Sequence, residues 1–272
     1  MLANAQTPDL DARAHAAIVL ARQVGRAAAA FRDSGMLTVE NKGLQDFVTA
    51  ADRQAEETIR STIASLFPED GFMGEEGGGT PSGPGFWVVD PIDGTTNYIR
   101  GFRHWGVSIA YIAEDTIQIG VVYDAAVDKV YSAIRGKGAF KDGRSIHASN
   151  ETDPTHAIAI LGHSRRTDFS TYQQVSQHLY DLGIDYRRMG AAAIGLVRVA
   201  DGIAELYYEQ HLNGWDMMAG ALIAREAGAM VAMPPLQTTI TAGGPIVAYA
   251  GGLAEQFGFL TPIAGANCVP LL

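Results

Sequence analysis

Residues 87–98 combine two carboxylates, a glycine and two hydroxyls at the end of an apolar segment, in the order WVVDPIDGTTNY. Asp90 and Asp93 are hard oxygen ligands at close spacing, and they repel one another unless a divalent cation such as Mg²⁺ lies between them. Gly94 lets the backbone approach a ligand closely, and the residues after it offer amides to phosphate oxygens if a helix starts there. The segment predicts a metal and phosphate site. A plain turn is the alternative, because Asp, Pro and Gly are also ordinary turn residues.

The residues before Asp90 are typical of a buried strand. Trp87, Val88 and Val89 form a short run of aromatic and β-branched side chains, which predicts that a rigid element delivers Asp90 to a sheet edge. Pro91 removes a backbone donor and restricts the residue before it to extended geometry. We therefore expect the two aspartates of this segment to turn toward one point.

Two further aspartates are predicted at helix starts, and a glutamate lies beside a glycine loop. Asp52 opens a segment whose apolar residues repeat at helical spacing, and Asp216 stands at the start of another apolar helix. An acidic residue in the first turn stabilises a helix by capping and through the macrodipole, so both have a structural interpretation beside the functional one. Glu75 precedes the glycine-rich loop 77–85, which we interpret as a mobile flap or a connector.

The composition indicates a globular protein and argues against several partners. The chain has 272 residues, 47% hydrophobic and 18% charged, which is enough to bury a large core. A formal net charge of −10 argues against nucleic acid and anionic membranes as partners, because both need clustered Lys and Arg. An acidic protein that binds phosphate needs another source of positive charge, and a bound metal supplies it. The single cysteine, Cys268, excludes an internal disulfide and predicts a cytoplasmic location.

The order of the predicted elements indicates an α/β fold in two halves. Residues 1–145 should form an α+β half, with an antiparallel meander, that carries most metal ligands. Residues 146–272 should form an α/β half that carries Asp216 and the substrate contacts, and the two halves should form one compact unit with a layered αβαβα architecture. The main expected strands are 107–112, 117–123, 129–134, 157–161 and 203–208, and the main expected helices of the second half are 168–182, 190–200 and 215–227.

Several of these segments, in this order, resemble the inositol monophosphatase family of metal-dependent, lithium-sensitive phosphatases. The resemblance extends from about Asp46 to Gly228, and among its carriers are DFVTAAD at 46–52, GEE at 74–76, residues 87–98, GKGAF at 136–140 and GWD at 214–216. It implies a sugar-phosphatase fold, two or three Mg²⁺ ions per site, a homodimer and inhibition by lithium.

The resemblance assigns metal-binding roles to the acidic residues. It implies that a first metal is held by Glu75, Asp90 and the backbone carbonyl of Ile92. It implies that a second metal is held by Asp90, Asp93 and Asp216, so that Asp90 bridges the two. Two cations roughly 3.5 to 4 Å apart stabilise both the attacking and the leaving oxygen of an in-line displacement.

The resemblance also implies a reaction. A metal-bound water, oriented by Glu75 and Thr95 with Asp52 nearby, attacks phosphorus in line, and no phosphoenzyme forms. The phosphate is received by the amides of Gly94 and Thr95, and Asp93 is also assigned to substrate binding. These roles agree with the demands of phosphoryl transfer, which needs positioning and charge neutralisation more than covalent chemistry.

Substrate contacts are implied on the second half of the chain. Gly190, Ala191 and Ala192 resemble a loop whose backbone lies beside the substrate ring. Glu209 resembles an acidic residue that accepts hydrogen bonds from sugar hydroxyls, a sensible role for a carboxylate. The structural alternative for Glu209 is a solvated residue at a strand end.

The leading hypothesis is Mg²⁺-dependent hydrolysis of myo-inositol monophosphate to inositol and phosphate. Sibling substrates are histidinol phosphate, fructose 1,6-bisphosphate and adenosine 3′,5′-bisphosphate. Arg100 and Arg103 stand where relatives often have histidine and proline, and they either favour a second anionic group on the substrate or only decorate the surface. The competing class is a non-catalytic metal- or phosphate-binding regulator. That class predicts a lost ligand, whereas all the carboxylates named above are present.

Overall fold

The computed structural model describes residues 9–35, 39–43, 46–260 and 269–270, so Cys268 lies outside the described residues. Up to residue 146, the described chain contains α1 (Leu10–Asp33), β1 (Val39–Gly43), β2 (Asp46–Thr49), α2 (Ala50–Leu66), β3 (Gly71–Gly74), β4 (Gly85–Asp93), α3 (Thr95–Arg100), β5 (Gly106–Ala113), β6 (Thr116–Asp124), β7 (Lys129–Ile134), β8 (Ala139–Lys141) and β9 (Arg144–Ile146).

After residue 146, two short 3₁₀ turns (Pro154–His156 and Gly251–Leu253) accompany the α-helices and strands. These are β10 (Ile158–Leu161), α4 (Phe169–Asp181), β11 (Asp185–Arg187), α5 (Ala192–Ala200), β12 (Leu206–Leu212), α6 (Gly214–Glu226), β13 (Met230–Met233), α7 (Leu236–Ala242), β14 (Gly244–Tyr249), α8 (Ala254–Phe257) and β15 (Val269–Pro270).

The first large sheet confirms the predicted meander. Its order is β3-β4-β5-β6-β7-β8-β9, antiparallel from β4 onward, with β3 parallel to β4. Helices α1 and α2 cover one face of this sheet, because their apolar stripes pack on the alternate side chains of the strands. Leu20 and Val24 of α1 and Ile59 of α2 share this core with Trp87 of β4, and all four are buried.

The second sheet is mixed, with the order β11-β10-β12-β14-β13-β15. Strand β10 is parallel to both β11 and β12, whereas β12 and β14 are antiparallel. The strand expected at 203–208 is in fact Leu206–Leu212. The amides of Ile203 and Ala204 donate to the carbonyl of Arg198, so this stretch ends α5 and does not start a strand.

The layered αβαβα prediction is confirmed. Helices α5 and α6 lie between the two sheets and contribute Leu196, Met217 and Leu222 to one core cluster with residues from both sheets. On the far side of the second sheet, Val175 of α4 and Phe257 of α8 pack in a separate cluster. Helices α5 and α6 contact strands of both sheets, so the two predicted halves share one core. The boundary between the halves at residues 145 and 146 stays a prediction. None of the described helices combines the length and the apolarity that crossing a membrane requires.

Candidate active site

Three aspartates from two distant parts of the chain form a cluster. Asp90 and Asp93 lie at the C-terminal end of strand β4, and Asp216 lies in the first turn of α6. One carboxylate oxygen of each lies within 4.8 Å of the corresponding oxygens of the other two. Asp90 and Asp93 are 2% and 5% exposed, so the cluster is formed largely away from water.

A bulge in β4 explains why Asp90 and Asp93 face the same point. Side chains alternate along a strand, so residues three apart normally lie on opposite faces. Here Asp90 pairs with Ser108 and Asp93 pairs with Gly106, which places one extra residue on β4 between the two pairs. Such a bulge re-aims the side chains that follow it. The amide of Ile92 donates to Asp90 Oδ1 at 2.9 Å and fixes the first carboxylate within the bulge.

Asp216 is both a helix cap and a member of the cluster. Its Oδ2 accepts from the amide of Asn213 at 2.8 Å, as in a capping box. The start of α6 is attached to the first sheet by Ser108, whose hydroxyl donates to the carbonyl of Trp215 at 2.8 Å. Ser108 is the residue paired with Asp90, so a single side chain joins the remote helix to the strand end. The structural and functional interpretations of Asp216 are therefore compatible.

Asp93 is held by the N-terminus of α5. Its two carboxylate oxygens accept from the amides of Ala192 and Ala193, at 2.9 and 2.8 Å. The predicted substrate loop, Gly190, Ala191 and Ala192, lines the same cavity as Asp93 and Asp216. The Ala192 amide already binds Asp93, so this part of the loop positions a carboxylate.

The cluster has unusual electrostatics. Burial, followed by repulsion from Glu75, Asp93 and Asp216, raises the pKa of Asp90 well above its ordinary value. Burial also raises the pKa of Asp93 to about 7 against the lowering effect of the α5 amides. For Asp216, burial and then the charge of Asp93 raise the pKa to about 7. The protein has thus assembled negative charge that only protons or cations can balance, as metal-binding sites do.

Glu75 lies beside the site on a turn that hydrogen bonds to Glu56 stabilise. The amide of Glu76 donates to Glu56 Oε2 at 2.8 Å, and the amide of Gly77 donates to Glu56 Oε1 at 2.6 Å. Glu56 is 5% exposed, and a Cβ on Gly77 would lie 2.7 Å from its Oε1. The sequence interpretation missed Glu56. A usable signal existed, because Glu56 follows Asp52 by four residues and so shares its face of α2.

Asp52 and Thr95 meet beside the cluster. The hydroxyl of Thr95 lies 3.4 Å from Asp52 Oδ1 and 3.1 Å from the Ile92 carbonyl oxygen, its two alternative acceptors. Asp52 also caps α2, because its Oδ2 accepts from the amide of Thr49 at 2.9 Å. Burial is the main cause that raises the pKa of Asp52 to about 6. Gly94 precedes Thr95 as the N-cap of α3, with φ at 88°, a backbone that favours glycine.

A cavity of about 580 Å³ opens over the cluster and includes Asp93, Asp216 and Glu75 in its wall. Glu209 also lines it and accepts from the hydroxyl of Tyr207 at 2.7 Å. Glu209 is partly buried within β12 and not at its end, and burial raises its pKa to about 7, so it differs from the solvated strand-end glutamate of the structural alternative.

The positions of Arg100 and Arg103 agree with the second of their two interpretations, that of surface residues. Arg100 and Arg103 are exposed and lie outside this cavity. The arginines in its wall are Arg165, Arg166 and Arg188, which the sequence interpretation did not single out.

The family model of the inositol monophosphatases matches residues 9–260. The chain belongs to the inositol monophosphatase family. Inositol monophosphatase 1 of Xenopus laevis is 35% identical over 227 residues, which cover 79% of this chain and 80% of that protein. The fructose-1,6-bisphosphatase/inositol-1-monophosphatase of Aquifex aeolicus is 37% identical over 196 residues, which cover 71% of this chain and 74% of that protein.

Solved structures agree with this membership in the inositol monophosphatase family. The crystal structure of the extragenic suppressor protein suhB from Bartonella henselae has a TM-score of 0.85 and 29% identity to this chain. The match covers 92% of this chain and 98% of that one. As a member of the family, the chain is a metal-dependent phosphoric monoester hydrolase, and its acidic cluster is suited to bind metal.

Proposed function

We propose that this phosphatase hydrolyses small polyol phosphate monoesters with Mg²⁺ as the cation, and that myo-inositol 1-phosphate is its reference substrate. The observation that carries the proposal is the cluster of Asp90, Asp93 and Asp216, whose oxygens lie within 4.8 Å of one another. Two members of the cluster, Asp93 and Asp216, line a cavity that Glu209 also lines, and the Glu209 carboxylate is suited to accept from polyol hydroxyls.

The donor set fits Mg²⁺. Glu75, Asp90 and the Ile92 carbonyl would hold one ion, and Asp90, Asp93 and Asp216 would hold another. All of these donors are hard oxygens, which Mg²⁺ and Ca²⁺ prefer, in contrast to the nitrogen and sulfur sets of zinc. The amides that already donate to the aspartates leave further lone pairs on each carboxylate oxygen. When bound, the cations would neutralise charge on the phosphoryl group and on the leaving oxygen.

Thr95 and Asp52 would accept the proton that the attacking water releases. The Thr95 hydroxyl can accept a hydrogen bond from a water while it donates to Asp52, whose Oδ1 lies 3.4 Å from the hydroxyl oxygen. With a pKa of about 6, Asp52 is mostly ionised at neutral pH and can take up the proton passed to it. The amides of Gly94 and Thr95 are proposed to receive phosphate oxygens at the start of α3.

Phosphate release from myo-inositol 1-phosphate tests the proposal. We expect turnover with Mg²⁺, none in excess chelator, and a loss of at least about a hundredfold in kcat for Asp90→Asn, because a lost electrostatic contact at the reacting group has this size. Asp181→Asn, an exposed substitution in α4, is the matched control and should retain wild-type turnover. A folded Asp90→Asn variant with near-normal kcat, or full activity in chelator, would contradict the proposal.

The homodimer, the cytoplasmic location and inhibition by lithium are further proposals. The first and third are supported by the family resemblance, and the second by the absence of any possible internal disulfide. Light scattering of the purified chain measures the first directly. A lithium titration of the inositol 1-phosphate reaction measures the third, and unchanged turnover at high millimolar lithium would contradict it.

A further inference from the structure

The Glu209 carboxylate is held in the cavity wall by a tyrosine on the same face of β12. Side chains alternate along a strand, so Tyr207 and Glu209 lie on one face of β12 and Tyr208 lies on the other. The hydroxyl of Tyr207 donates to Glu209 Oε2 at 2.7 Å. Within the described residues, no second side chain donates a hydrogen bond to this carboxylate, and Arg188 acts on it through its charge. The orientation of the Glu209 side chain therefore depends on the Tyr207 hydroxyl.

The Tyr207 ring has a fixed position between the two sheets. It is 2% exposed and belongs to the core cluster that α5 and α6 share with both sheets. Helix α5 passes so close that a Cβ on Gly195 would lie 2.3 Å from Tyr207 Cε2, so only glycine leaves room for the ring here. Burial and then the charge of Glu209 raise the pKa of Tyr207 well above its ordinary value. The hydroxyl therefore keeps its proton and acts as the donor.

Gly162 confines the Glu209 carboxylate from the neighbouring strand. The amide of Gly162 donates to the carbonyl of Tyr208 at 2.9 Å, so the pairing of β10 with β12 continues to the residue beside Glu209. A Cβ on Gly162 would lie 1.9 Å from Glu209 Oε2, the oxygen that accepts from Tyr207. The carboxylate thus occupies the space that a side chain at position 162 would take. Tyr207 and Gly162 together determine where this oxygen lies.

Helix α5 connects this arrangement to the aspartate cluster. Its first amides, those of Ala192 and Ala193, donate to the Asp93 carboxylate. Gly195, about one turn along the same helix, contacts the Tyr207 ring. One rigid element therefore positions a proposed metal ligand directly and the proposed polyol acceptor through Tyr207. A site placed on such an element is held more precisely than a site on loops.

We propose that Tyr207 is a positioning residue for the alcohol part of the substrate, and that it confers selectivity for polyol phosphates over phosphates without hydroxyls. The inference rests on the proposed function, because it assumes that Glu209 accepts from a polyol hydroxyl. The Tyr207 hydroxyl binds Oε2, so Oε1 is the oxygen that the substrate hydroxyl meets. A carboxylate already fixed in this way loses less rotamer entropy when the substrate binds.

Tyr207→Phe tests the inference, because it removes the hydroxyl and keeps the ring that packs on Gly195. Steady-state assays with Mg²⁺ give KM for myo-inositol 1-phosphate and for p-nitrophenyl phosphate, which lacks hydroxyls. We expect KM for inositol 1-phosphate to rise about tenfold, the effect of one charge-assisted hydrogen bond, and KM for p-nitrophenyl phosphate to rise much less. Tyr208→Phe is the matched control, because Tyr208 is 1% exposed in the core on the opposite face of β12. It should keep the wild-type ratio of the two KM values.

A double-mutant cycle with Glu209→Ala shows whether Tyr207 acts through Glu209. If it does, Tyr207→Phe adds little to the loss that Glu209→Ala alone causes with inositol 1-phosphate. Additive losses, or equal losses on both substrates, would mean that Tyr207 only supports the core and would overturn the inference.

Gly162→Ala tests the same oxygen and leaves Tyr207 intact. The φ of Gly162 lies outside the left-handed region, so the backbone accepts alanine, and the added Cβ displaces Glu209 Oε2. We expect the same selective rise of KM for inositol 1-phosphate. A wild-type ratio of the KM values in folded Tyr207→Phe or Gly162→Ala variants would overturn the inference.

Failure of the proposed function looks different. In that case inositol 1-phosphate releases no phosphate with Mg²⁺, or Glu209→Ala alone affects both substrates equally, and the inference falls with it. A selective effect of Glu209→Ala without a selective effect of Tyr207→Phe would leave the proposed function standing and overturn the inference alone.

Discussion

We expect Glu56→Gln to weaken metal binding although Glu56 is not among the proposed metal ligands. The Glu56 carboxylate accepts from the amides of Glu76 and Gly77, the two residues that follow Glu75. Glu75 in turn faces Asp90 and contributes to the raised pKa of that residue. The substitution keeps the shape of the side chain and turns one acceptor oxygen into a donor group that faces a backbone N–H.

The magnitude follows from the two hydrogen bonds. A hydrogen bond to a charged group contributes about 1.5 to 3 kcal/mol, and Gln retains only one acceptor for two amide donors. Glu56 is 5% exposed, so water cannot replace the lost partner without opening the turn. We expect the free energy of unfolding in chelator to fall by about 2 to 3 kcal/mol. Because outer partners of metal ligands typically contribute this much, apparent Mg²⁺ affinity should fall by about 10- to 100-fold.

Two titrations separate the effects. Urea unfolding in chelator measures stability, and the Mg²⁺ dependence of inositol 1-phosphate turnover measures metal affinity. Glu57→Gln is the matched control, because Glu57 is exposed on the same helix and pairs with Arg60 in a surface contact of little energetic value. Gly77→Ala perturbs the same contact from the other side, since its Cβ would lie 2.7 Å from Glu56 Oε1. Wild-type Mg²⁺ affinity in folded Glu56→Gln and Gly77→Ala variants would refute the reasoning.

Three other substitutions or conditions probe separate parts of the site. In chelator, the free energy of unfolding should fall as pH rises from about 4 to about 7. In the folded protein the pKa values of Asp93 and Asp216 are both raised to about 7, so these residues keep protons that the unfolded chain has already released. Saturating Mg²⁺ should remove that fall in urea titrations, and parallel curves with and without Mg²⁺ would contradict it. Thr95→Val should lower kcat by about a hundredfold, the usual size of a lost proton-transfer path, with little change in Mg²⁺ affinity; wild-type kcat in steady-state assays would exclude the proton role. Glu209→Gln should raise KM more for inositol 1-phosphate than for p-nitrophenyl phosphate, which lacks hydroxyls, and equal changes would argue against a polyol contact.

The metal ligands were predictable from the sequence to different degrees. Asp90 and Asp93 are close in the chain, yet a regular strand would have pointed them to opposite faces. The bulge against Ser108 and Gly106 brings them together, and Pro91, which lies within it, is the local residue that indicates an interrupted strand. The resemblance added the assignment of both aspartates as metal ligands. Asp216 was assigned in the same way, since helix capping alone explains its position in the sequence.

Groups that act through tertiary contacts were not predictable from local patterns. Glu56 looks like an ordinary helical glutamate until the turn after Gly74 folds back onto it. The cavity arginines come from loops after β10 and β11, and their meeting depends on the strand order of the second sheet. Arg100 stands out in the sequence because relatives often have histidine there, but it lies at the exposed end of α3, outside the cavity.

Helix starts explain how this cluster of carboxylates can exist before a metal binds. Asp52 and Asp216 cap the helices that carry them, and Asp93 accepts from the first amides of α5. Each helix thereby offsets part of the cost of burying a carboxylate, through amide hydrogen bonds and the positive end of its dipole.

Asp90 is the exception, because its amide partner comes from the bulge of its own strand and not from a helix start. It is also the residue whose pKa burial and three neighbouring acidic groups raise well above the ordinary value. The bridging position predicted for Asp90 is thus the one at which a cation would relieve the most repulsion. Because Asp90→Asn removes this repulsion, the metal-free variant should be as stable as the wild type or more stable, while turnover is lost. Loss of activity in that variant would therefore reflect the lost chemistry and not a folding defect.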